Sequence, residues 1–162
     1  MAATSFDPRN PIVNSHYGIP EIIPATTEAA TTNFKAGELV YFVAGAPTVV
    51  TASTKINGIA LADSTNASPG AASVPVQLIG TDDELLIRCA SNSSGTLALA
   101  NTFAAGQDYA VASVSNLVYA DISDTSGGNV VFVAPVLDAA GNSTYWGRFK
   151  VHSTLNFIAQ TA

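Results

Sequence analysis

From Phe34 onward, apolar residues come in short runs broken by Gly, Asn, Pro, Ser and Asp. Runs of this length, rich in Val, Ile, Tyr and Phe and bounded by turn residues, predict β-strands. The pattern predicts strands at Glu38–Val43, Thr48–Thr51, Ile59–Ala62, Val74–Ile79 and Glu84–Cys89 in the first half. In the second half it predicts strands at Tyr109–Val114, Leu117–Ala120, Val130–Val133 and Trp146–Val151, with a last one at Leu155–Ala159. Ala46-Pro47 is read as a break and Asn57-Gly58 as a tight turn. Ser115-Asn116 is read as the turn of a hairpin. Pro75 cannot donate to a ladder, which places its strand at a sheet edge or makes it a strand start. Trp146–Val151 alternates with period two and reads as a half-buried strand. Helical periodicity is scarce; Thr96–Ala105 fits one short helix or a strand equally well. Short strands about ten residues apart predict an all-β fold. The expected architecture is a compact sandwich or small barrel of short antiparallel strands with an extended N-terminal arm.

Residues 1–33 differ from the rest. They hold Pro8, Pro11, Pro20 and Pro24, half of the eight prolines. Proline fixes φ and drives its predecessor toward extended backbone. We therefore divide the chain into an arm, 1–33, and a single β-rich domain, 34–162. The arm carries Ile12, Val13, Tyr17, Ile19, Ile22 and Ile23, apolar anchors that a solvated linker does not need. These six are the candidate partner-contact residues. The alternative is an arm folded back over its own domain.

A faint internal echo links Phe34-Lys35-Ala36-Gly37-Glu38 with Phe103-Ala104-Ala105-Gly106-Gln107. The Ala-Gly step suits a turn with glycine at positive φ, so one turn chemistry is expected twice.

Composition narrows function. Only 11% of residues are charged and 48% are hydrophobic, with two histidines and a formal charge of −6. Neutral-pH catalysis needs convergent ionisable groups, and the raw material is scarce, so the chain is expected not to be an enzyme. The six basic residues form no cluster beyond Arg148 and Lys150. Nucleic acid, which is bound through phosphate neutralisation, is therefore not an expected partner. No apolar run is long enough for a membrane span, and Met1–Ser5 lacks the basic and apolar regions of a signal peptide. Assembly in a cytoplasm is expected. Low charge and high apolar content point to surface covered by a partner or by further copies.

Individual candidates for chemistry have plainer readings. Cys89 lies among Leu85, Leu86 and Ile87 and reads as a buried thiol. Asp82-Asp83-Glu84 lacks calcium-loop spacing and reads as a turn. Asp121–Asp124 reads likewise. His16 and His152 have no ligand partners at zinc spacing. No catalytic, cofactor or metal residues are assigned, and no cofactor is expected. Trp146 is expected in the core, with an interface anchor as the alternative. Asp138, Tyr145 and Trp146 are the one loose grouping that fits a sugar site.

Three segments, Phe34–Tyr41, Ile56–Asp63 and Val74–Val76, occur in this order. They resemble the A-G-[DE]-strand, G-[IV]-A-L step and V-x-V strand of the small capsid decoration (cement) proteins of tailed bacteriophages. The resemblance covers residues 34–80; the C-terminal half matches in style only. It implies a β-rich, commonly trimeric protein added to the outside of an icosahedral head, where it stabilises the shell. The partners so implied are the major capsid protein and the chain itself as a homo-oligomer, a trimer first. The implied location is the virion exterior. The alternatives are another virion component, such as a head fibre or tail module, or a carbohydrate-binding β-domain.

Overall fold

The computed structural model describes residues 12–15 and 21–152, except 52, 53, 81 and 127. Eleven strands and a single 3-10 turn make up the described secondary structure. They are β1 (Ile12–Ser15), β2 (Ile22–Thr27), β3 (Leu39–Val43), β4 (Ala46–Val49), β5 (Gly58–Ala60), β6 (Ser73–Leu78) and β7 (Glu84–Ala90), then β8 (Asp108–Val114), β9 (Leu117–Asp121), β10 (Val130–Leu137) and β11 (Ser143–Val151). The 3-10 turn is Ala100–Thr102. The chain is all-β, and its two sheets form a compact sandwich-like fold.

One sheet runs β1-β7-β11-β10-β8-β9 and closes on itself, because β9 returns to pair in parallel with β7. One edge of β7 is therefore shared: Glu84–Leu86 carries β1, and Arg88–Ala90 carries β9. Closure removes the open edge that a flat sheet would leave. The other sheet runs β2-β6-β5-β3-β4 and is wholly antiparallel. Its last edge, on β4, is covered by the stretch that follows β2: Ala29 N–H donates to Pro47 O (3.1 Å) and Val49 N–H to Thr32 Oγ1 (3.2 Å).

Side-chain alternation builds two cores. Leu85, Ile87 and Cys89 of β7 join Val111, Val118, Ala120, Val130, Phe132, Phe149 and Val151 in a single cluster. Leu39, Val50, Ile56, Ile59 and Ile79 extend that cluster to the second sheet. The next residues along, Val40 and Ala60, turn the other way into a smaller cluster with Phe34, Val74 and Val76. One strand thus serves two cores because successive side chains leave opposite faces. Asn129, fully buried, ties the sheets together. Its Oδ1 accepts the Val111 N–H (2.9 Å), and its Nδ2 donates to the carbonyls of Thr51 and Thr54.

The hairpin at Ser115-Asn116 forms as expected, with both residues at positive φ (52° and 62°). The two echo motifs make one turn: Gly37 (φ 91°) and Gly106 (φ 79°) follow buried Phe34 and Phe103. Glu38 N–H donates to Lys35 O (3.0 Å), and Gln107 N–H to Ala104 O (3.2 Å). Thr96–Ala105 resolves into the 3-10 turn plus one bridge, Leu97 to Ala90. The strand expected at Leu155–Ala159 lies outside the described residues.

Four expectations are corrected. Ala46-Pro47 does not break the chain but opens β4; the turn is Ala44-Gly45, and Pro47 pairs with Phe42 at a register where its missing N–H faces away from β3. Pro75 is inside β6, which is flanked by β2 and β5. It is tolerated because β5 ends at Ala60: Leu61 N–H donates to Pro75 O (2.9 Å), and the return bond is the one proline cannot make. Asn57-Gly58 is not a turn. Asn57 Oδ1 accepts the Phe42 N–H (2.9 Å), and Gly58 begins β5. Trp146 shares the outward, half-buried phase of Arg148 and Lys150, while Gly147, Phe149 and Val151 face in. It stacks under the Arg88 guanidinium at 5.3 Å.

Gly58 is required by contact. A Cβ there would sit 2.4 Å from Gln77 O and 2.5 Å from Val76 Cγ1. Gly58→Ala is expected to cost about 1–3 kcal/mol through forced backbone displacement. Urea unfolding monitored by Trp146 fluorescence checks this; an unchanged midpoint would show that β5 and β6 separate freely.

Candidate functional site

The segment predicted as an arm supplies β1 and β2, one on each sheet. Of its six candidate contacts, Ile22 is 53% exposed at the outer strand of the second sheet, and Ile23 is half-buried beside it. Ile12 and Val13 belong to β1, paired with Leu86 and Leu85. Tyr17 and Ile19 lie outside the described residues. The structure therefore places the four described candidates on the outer strands of two different sheets.

Two features that sequence reading missed are more concentrated. The first is an apolar end of the closed sheet. Leu97 (44% exposed), Leu99 (42%), Leu137 (55%) and Tyr145 (48%) stand around the 3-10 turn. Their placement follows from local bonds: Asn101 N–H donates to Ser143 Oγ (3.0 Å), Leu137 pairs with Ser143, and Leu97 bridges Ala90. Large apolar side chains gathered at one place on a surface mark a contact site. The Leu-Ala-Leu-Ala stretch at 97–100 carried the signal, as alternation that puts leucines out and Ala100 in.

The second is an open groove of about 450 Å3 where the β8–β9 hairpin faces the stretch after β4. Buried Val50 and Val111 form apolar parts of its lining, and Asn33, Thr51, Ser113, Ser115 and Asn116 present amides and hydroxyls. Glu38 is fully buried beside it, accepting from Ser113 Oγ (2.9 Å), Asn116 Nδ2 (3.2 Å) and Lys35 N–H (2.6 Å). Its carboxylate holds the hairpin in position, and its oxygens are taken up by these bonds.

The other acidic and thiol groups have structural duties. Asp83 Oδ2 caps Gly80 N–H (2.8 Å), while Glu84 makes a two-point ion pair with Arg148 (2.7 and 2.8 Å). The Asp82–Glu84 run thus splits between a turn and a strand. Asp121 and Asp124 accept from Ser123 and Ser126 as local turns. Among the described residues no three metal-ligating side chains converge. His152 pairs with Asp108 (3.1 Å); His16 lies outside the described residues. Burial pushes the Cys89 thiol up to about 12, which leaves it protonated and inert. Asp138 is engaged by Ala140 and Asn142 in a hairpin turn, and Tyr145 and Trp146 leave β11 on opposite faces, so these two rings do not share one platform.

No known protein-family model matches the chain, and no curated protein matches it.

Proposed function

We propose that this chain is a structural virion protein that binds the outside of an icosahedral phage head as a homotrimer and stabilises the shell. The observation that carries the reading is the apolar end formed by Leu97, Leu99, Leu137 and Tyr145 in a chain of low charge. Such a surface fits a protein partner. The resemblance over residues 34–80 supports the same reading and spans β3 to β6. Several copies held together would each offer one apolar end and one outer β2 strand with Ile22. Weak contacts then add through multivalency, which suits a shell of repeated subunits.

The test is direct. The purified chain is expected to run at three times 16.5 kDa in light scattering. It is also expected to pellet with the heads of the phage that encodes it, saturating at a fixed number of copies per capsomer. Leu99→Asp with Leu137→Asp is expected to keep the fold and weaken head binding at least tenfold. A folded wild-type chain that leaves heads bare would overturn the proposal.

A further inference from the structure

The groove beside the β8–β9 hairpin is lined by polar groups of one kind. Its volume, about 450 Å3, is in the range of small-ligand sites. None of the described residues that line it is ionisable. Asn33 and Thr51 come from the segments before β3 and after β4, and Ser113, Ser115 and Asn116 from the hairpin. Asn33, Thr51 and Ser115 are exposed, and among the described residues their side chains have no hydrogen-bond partner. The other two are fixed from behind. The fully buried Glu38 carboxylate accepts from Ser113 Oγ (2.9 Å) and Asn116 Nδ2 (3.2 Å), and the Lys35 N–H holds it in turn (2.6 Å). A carboxylate only accepts, so the Ser113 hydroxyl proton is directed at Glu38 and its oxygen offers lone pairs to the groove. A buried charged group thus orients an uncharged lining. Groups ordered in advance lower the cost of association.

This chemistry selects a ligand class. A neutral lining gives an ion nothing to pair with, and leaving water would cost the ion its hydration. Amides and hydroxyls both donate and accept, as the hydroxyls of a sugar do. Half-buried Val49 and Ala112 add small apolar surfaces on which the C–H groups of a sugar ring can rest. An added peptide strand fits less well. β8 bonds β9 along 110–114, and on its other edge Asp108 and Tyr109 pair with β10 while Asn129 takes the Val111 N–H. Peptide groups two residues apart point the same way, which leaves Ser113 as the one described residue of that edge at the groove. One residue is too short an edge for a strand.

We infer that the groove is a binding site for a neutral oligosaccharide, held by the side chains of Asn33, Thr51 and Ser115 and by the Ser113 and Asn116 groups that Glu38 sets. No aromatic ring from the described residues lines it, so a single site is weak, with a Kd of roughly 1 mM. Its residues are not those of the apolar end, so this site and head binding stand or fall separately.

The test uses the full-length 15N-labelled chain, titrated with maltotriose, cellotriose and triacetylchitotriose while its amide signals are followed. At least one of these sugars is expected to shift the Asn33, Ser113 and Asn116 signals saturably. Asn33→Ala with Thr51→Val is expected to weaken that binding at least tenfold at unchanged Tm. Thr51 bonds Asn129 through its backbone carbonyl, so the substitution spares that contact. If the pair lowers Tm, Asn33→Ala alone is read instead. Shifts that persist undiminished in the variant would put the sugar elsewhere and overturn the site. No groove shifts from any of these sugars at tens of millimolar, or groove shifts from an uncharged pentapeptide alone, would overturn the ligand class.

Discussion

Phe149→Ala is expected to destabilise the fold by about 3–5 kcal/mol, the largest single effect we anticipate. Phe149 is fully buried at the centre of an aromatic group. Its ring lies 5.2 Å from Phe132 at 66° and 5.9 Å from Phe103 at 88°. Edge-to-face contacts of this kind add to the area they bury. A Cβ on Gly147 would lie 2.6 Å from the Phe149 ring, so glycine leaves the space the ring fills. Because the sheet is closed, the surrounding strands cannot slide inward to fill the void, and the cavity term is felt in full. Differential scanning calorimetry is expected to show a Tm lowered by roughly 10 °C for a chain of this size. A drop of under 3 °C would mean that the interior of the closed sheet collapses readily.

Glu28→Gln is expected to cost about 2–3 kcal/mol at pH 7. Glu28 is 3% exposed, yet charged. Burial alone would raise its pKa. The hydrogen bonds from Thr65 Oγ1 and from the backbone N–H groups of Ala71 (3.0 Å), Ala72 (3.1 Å) and Thr65 (2.7 Å) outweigh it, and the pKa falls from 4.5 to about 2. All these donors point at one carboxylate, and an amide nitrogen in place of either oxygen would set donor against donor. Gly70 completes the site, since a Cβ there would meet Glu28 O at 2.2 Å.

The sign of the pH effect follows. A lowered folded-state pKa contributes stability that is complete above pH 4.5 and is lost as pH falls toward 2. The gap between wild type and variant, measured by urea unfolding, is therefore expected to be constant from pH 7 to about 5. It then shrinks as pH falls toward 2. An unchanged gap at pH 2.5 would show that the carboxylate contributes through shape and not through charge.

The all-β class and most strands were legible because they depend on local chemistry. β-Branched and aromatic runs, the Ser115-Asn116 hairpin and the paired Ala-Gly turns are decided within a few residues. Most of the misreadings share one cause. Asn57-Gly58 carries the composition of a turn, but Asn57 spends its side chain on Phe42, and Gly58 is needed for its distance to Gln77. Pro47 and Pro75 carry the composition of breaks, but Pro47 turns its missing N–H away from β3, and Pro75 turns its own toward Leu61, just past the end of β5. Trp146 has the size of a core residue, but strand phase puts it outside with Arg88. Except at Pro47, whose β3 partner Phe42 is close along the chain, the deciding partner is far away in sequence.

The candidate sites were legible to a lesser degree. The leucines at 97 and 99 were visible as alternation, yet their exposure depends on the 3-10 turn and on β11 meeting it. Nothing local marks Glu38 as a neighbour of Ser113 and Asn116, each more than seventy residues away from it.

By itself, then, the sequence determined that the chain forms short strands and tight turns, with few groups for acid–base chemistry and a buried thiol. Propensity, periodicity and composition are local quantities and act without knowledge of the fold. Only the tertiary structure decided that one sheet closes through the parallel β7–β9 pairing, that two cores share β3, and where a groove and an apolar end remain. Those depend on which strands meet and in what register, and pairing between distant segments is set by the packing of the whole chain.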